Sequence, residues 1–68
     1  MSKYERIRNL REDKDLSQKD MASILNISQR AYSHYENGDR AMSPEILIAL
    51  AKFHNTSTDY LLGLTNKK

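Results

Sequence analysis

The chain has 68 residues, no cysteine, and 11 Lys+Arg against 9 Asp+Glu for a formal net charge of +2. That length allows one small core, and the missing cysteines exclude disulfide and thiolate–zinc frameworks. No apolar run approaches a membrane span or a signal-peptide core, and so weak a charge leaves nucleic-acid binding only a local basic face.

The expected organisation is one all-helical cytoplasmic domain over residues 1–68, with its core at about 3–63 and a tail over 64–68. The first predicted helix runs from Lys3 to Lys14 and turns Ile7 and Leu10 inward, with Leu16 following. Ser17 begins the second helix, to Leu25, and Asp20 three residues on completes a capping-box-like start. Met21, Ala22 and Leu25 form its inner stripe, with Ala22 small where another helix must cross closely. Leu25 to Ser28 is a short turn in which Asn26 tolerates positive φ and Ile27 plugs the gap between helices.

The third predicted helix, Ser28–Asn37, has opposed faces. Counting about 100° per residue from Gln29, Ser33 falls at about 40°, Asn37 at about 80°, Arg30 at about 100° and His34 at about 140°. Ala31, Tyr35 and Tyr32 fall at about 200°, 240° and 300°. Ser28 suits the N-cap and Gly38 the left-handed C-cap. Two helices joined by so short a turn match a helix-turn-helix, which presents its second helix to the major groove of DNA. Pro44–His54 is the fourth predicted helix, with Ser43 as N-cap and Pro44 at the first position. Thr58–Leu62 is the fifth, stopped by Gly63, and Asn66–Lys68 is expected to fray. The expected core adds Tyr32, Tyr35, Leu47, Leu50, Phe53, Leu61 and Leu62 to the apolar residues already named.

Enzyme chemistry finds little footing. Ser33 and His34 are adjacent and do not stack on one face as a nucleophile–base pair would. His34 and His54 have no ligand cluster in sequence, and phosphate-cradling glycine patterns are missing, so neither metal nor cofactor is expected. Glu36 lies at about 340° on the wheel, on the core side, where a lone carboxylate is costly and calls for a cationic partner.

Gln18, Ala22, Ile27, Ser28, Glu36 and Gly38, in this register, resemble the Cro/C1-type (XRE-like) helix-turn-helix repressors. The resemblance extends from about Ile7 to Leu62 and includes the Arg6–Arg11 run, Pro44–Phe53 and Ser57–Gly63. Asn26 departs from the glycine common in the turn, Tyr32 replaces an aliphatic residue, and Asp39 puts an acid in a loop that often approaches phosphate. The resemblance implies a compact five-helix lambda-repressor-like fold and a transcriptional regulator, most simply a repressor. It also implies Arg11 as the partner of Glu36.

Gln29 can pair with adenine and Arg30 with guanine, and Ser33 and His34 lie within reach of further bases or the backbone. Gln18, Ser28, Asn37 and the Gly38 N–H are implied phosphate contacts, with Lys19 and Arg40 as flanking cations. The expected partner is double-stranded DNA carrying a pseudo-palindromic operator, bound by a homodimer whose contact the resemblance implies at Met42, Thr56, Thr58 and Tyr60; no membrane or small-molecule ligand is expected. A start at Met1 and an end soon after the domain favour a stand-alone protein. An antitoxin-type interaction module, or the DNA-reading module of a longer regulator, remain the alternatives.

Overall fold

Four serines start four of the helices. Ser17 accepts the Asp20 N–H at 3.0 Å while its own N–H donates to the Asp20 carboxylate at 3.0 Å, a reciprocal capping box. Ser28, Ser43 and Ser57 accept from the N–H groups of Ala31, Ile46 and Tyr60 in the same way. The computed structural model describes residues 4–67. Among them the helices are α1 (Glu5–Asp13), α2 (Gln18–Leu25), α3 (Gln29–Asn37), α4 (Pro44–Phe53) and α5 (Thr58–Leu61), with no strand. The expected helix start at Lys3, the first two residues and Lys68 lie outside the described residues.

Left-handed residues end the helices. Asn26 has φ 58° after α2 and Gly38 has φ 82° after α3, as the turn chemistry requires. Asp15 and Asn55 also take positive φ, in the turns after α1 and α4. The close crossing is between α2 and α3, where Ala22 is buried and Ile27 bonds back to the Ala22 carbonyl at 2.9 Å. Ile7, Met21, Tyr32, Leu50 and Leu61 are sealed from solvent beneath the helices.

Three expectations are corrected. Leu62 is not in the core: it is the C-cap of α5 and stands 40% exposed. Tyr35 is only half-buried, while Tyr4 and Ala51, which the pattern did not mark, are buried. Nor is Asn66 a loose end. The Arg6 guanidinium donates to the carbonyls of Tyr60 (2.9 Å) and Thr65 and to the Asn66 amide oxygen (2.8 Å), and it stacks over the Tyr60 ring at 4.3 Å. No helix among the described residues is long and apolar enough to cross a membrane.

Candidate nucleic-acid interface

Burial fixes the face of α3 that points outward. Tyr32 and Glu36 are buried, whereas Gln29 and Arg30, in the first turn of the helix, stand exposed. Gln18 at the start of α2 joins Gln29, Arg30, Ser33 and His34 around one open groove of about 420 Å³. The groove is therefore built from the two faces that the short Asn26–Ser28 turn sets side by side.

A polar cluster braces this arrangement from beneath. The Arg11 guanidinium meets Glu36 bidentately, Nε to Oε2 at 2.9 Å and Nη2 to Oε1 at 3.0 Å, with the two side chains 12% and 2% exposed. Its Nη1 donates to the Leu16 carbonyl at 2.7 Å, and the Gln18 amide donates to Glu36 Oε1 at 3.2 Å. Helices α1, α2 and α3 thus converge on one carboxylate. Burial alone would raise the Glu36 carboxyl, but hydrogen bonding from Arg11, Tyr32 and Gln18 outweighs it and holds the group below the usual carboxylate range. The Tyr32 hydroxyl is buried and interacts with that carboxylate. Burial first, then Glu36, push the phenol well above its ordinary value.

The other named residues are spread more widely. Lys19, Asn37 and Arg40 are exposed and do not line the groove. Ser28 Oγ accepts the Ala31 N–H, which leaves its hydroxyl proton to donate outward. The Gly38 N–H turns back to the Tyr35 carbonyl at 3.1 Å in the α3 C-cap, so a phosphate there would have to share it. Met42 and Tyr60 pack against the chain's own core, and the Thr56 hydroxyl oxygen is buried, so little of these side chains is left for a second copy. Thr58 is half-buried.

Other features escaped the reading of the sequence. Asp39 Oδ2 lies 3.4 Å from His34 Nδ1, which places the acid of the loop against a groove residue. Its signal was the Gly38 C-cap, which folds the next residue back one turn. Leu64 is 72% exposed and Ile24 and Ile48 are 47% exposed, with no periodicity to announce them. His54 is buried with neither ring nitrogen at hydrogen-bond geometry. No group of His, Cys, Asp and Glu suited to a metal occurs among the described residues.

Residues 7–61 match the helix-turn-helix family. The chain is 38% identical over 63 residues to the HTH-type transcriptional regulator ImmR of Bacillus subtilis, covering 93% of this chain and 50% of ImmR. It is also 38% identical over 64 residues to the HTH-type regulator AnsR of the same organism, covering 94% and 55% respectively. It is 35% identical over 57 residues to the antitoxin PezA of Streptococcus pneumoniae, covering 84% of this chain and 36% of PezA. The chain thus spans about half the length of the regulators it matches. The crystal structure of the P22 c2 repressor in complex with a synthetic operator superposes with a TM-score of 0.81 at 32% identity, covering 91% of this chain and 94% of that one.

Proposed function

The chain belongs to the helix-turn-helix family, and we propose that it is a sequence-specific double-stranded DNA-binding regulator, acting in the cytoplasm as a repressor. The observation that carries this reading is the groove of Gln18, Gln29, Arg30, Ser33 and His34 on the outer face of α2 and α3. Its lining residues carry hydrogen-bonding groups and one arginine, and the buried Arg11–Glu36 pair braces it from beneath. The likeness to an operator-bound repressor supports the same conclusion.

In this reading α3 enters the major groove, where Gln29 reads adenine and Arg30 guanine. Ser33 and His34 reach the next bases. Gln18, Lys19, Ser28, Asn37, Gly38 and Arg40 grip the flanking phosphates, aided by the N-terminus of α2. One helix reads too few bases for useful specificity, so two copies bind a dyad-related operator. The contact falls to Met42, Thr56, Thr58 and Tyr60, of whose side chains only the parts left uncovered by the core are available.

Fluorescence titration of a selected duplex at several salt concentrations tests the reading. Phosphate neutralisation requires log K to fall linearly with log salt. Binding without a salt slope, or no stronger than to random duplex, refutes it. The likeness to PezA favours a second reading, an antitoxin-type module that masks a protein partner; that reading gains if duplex binding is absent.

A further inference from the structure

Of the α3 side chains lining the groove, His34 has its ring tied to a residue beyond the helix. Gly38 at φ 82° turns the chain so that the Asp39 N–H donates to the His34 carbonyl at 3.0 Å. The same fold-back sets the Asp39 carboxylate 3.4 Å from His34 Nδ1. An acid this close to the expected phosphate path opposes affinity, and at 61% side-chain exposure its pairing with His34 adds little stability. Neither role accounts for it.

We propose that Asp39 is a positioning residue that turns His34 into a reader of base amino groups. This rests on the DNA-binding reading above. A carboxylate only accepts hydrogen bonds, so the nitrogen facing it, Nδ1, carries the proton. In the neutral imidazole the remaining nitrogen, Nε2, is then an acceptor. In the major groove an acceptor pairs with the exocyclic amino groups, cytosine N4 or adenine N6, and is repelled by guanine O6 and thymine O4. Without Asp39 the ring can present either nitrogen in either tautomer and discriminates poorly. Arg30 is donor-only and the Gln29 amide serves both roles, so a fixed acceptor at His34 adds to what they read.

Selection from a random duplex pool, with the full chain and sequencing of bound DNA, tests this. The wild type is expected to prefer cytosine or adenine at one position of each half-site by roughly two- to tenfold, the range of one hydrogen bond. His34→Ala and Asp39→Ala should lose that preference at the same position and keep the others. Asp39→Asn should retain only part of it, because its amide can accept from a protonated Nδ1 or donate to an unprotonated one. Replacing the amino group at that position with hydrogen should weaken the wild type and leave Asp39→Ala unchanged. The proposal is overturned if Asp39→Ala keeps the wild-type preference, or if both Asp39 variants tighten every duplex equally, which would make its role one of charge alone. A wild type that enriches no duplex overturns the DNA-binding reading itself, and the proposal with it.

Discussion

At 2% exposure the Glu36 carboxylate survives because Arg11, Tyr32 and Gln18 surround it with donors. Removing one partner leaves a buried charge unpaired, so Arg11→Met or Glu36→Gln should each cost about 3–5 kcal/mol in urea unfolding, a large part of the stability of so small a domain. The double variant should lose less than the sum of the two, and a simple sum would show that the pair is energetically idle. The same residues set the response to acid. Glu36 titrates lower in the fold than in the open chain, so its stabilisation is present above the ordinary carboxylate value and fades as pH falls through the lowered one. His54 also titrates below its ordinary 6.5, because burial and then Lys14 disfavour its charge. The unfolded chain therefore binds that proton first on acidification, and stability falls as pH drops below about 6.5 toward the lowered value. Urea unfolding at pH 7 and pH 5 should show this loss, and His54→Gln should shrink it; an unchanged loss would place its origin elsewhere.

Each element carries a division of labour. In α3 the buried edge of Tyr32 and Glu36 decides which residues remain outside, and the Ser28 cap and the Gly38 turn decide where the helix begins and ends. Gln29→Ala and Arg30→Ala should each cost about 1–3 kcal/mol on the preferred duplex and relax preference at particular base pairs. Lys19 and Arg40, which flank the groove without lining it, should weaken all duplexes evenly when replaced by alanine, with a shallower salt slope. Competition binding with matched and mismatched duplexes separates the two outcomes. If Arg40 instead set the base preference, α3 would be the wrong element in the groove.

For the whole molecule, α1 is a brace. Arg11 ties it to α3, and Arg6 ties it to α5 and the segment after it through Tyr60, Thr65 and Asn66. The bracing gives a rigid body that can meet DNA at one angle, and two such bodies should sit one helical turn apart, with recognition helices about 34 Å from each other. Footprinting should then show two protected half-sites related by a dyad. A single short protected half-site at saturating protein would mean that one copy reads alone.

The sequence by itself determined the helices, the serine caps of α2, α3 and α4 and the outward face of α3. These depend on spacings of a few residues, such as Ser17 to Asp20 or Tyr32 to Glu36, and short-range periodicity records them directly. It also marked Glu36 as a carboxylate on the core side. Its tie to Arg11 entered through the family resemblance, and only the packed helices show the bidentate geometry and the Gln18 contact. The tertiary structure alone decided the rest. Arg6 meets residues 54 to 60 positions away, a separation that no local pattern encodes. Leu62 matched the apolar pattern but ends up 40% exposed, because α5 stops at Leu61 and nothing covers the next side chain. For Asp39 the Gly38 cap signalled a turn, but only the folded chain shows that its carboxylate meets the His34 ring.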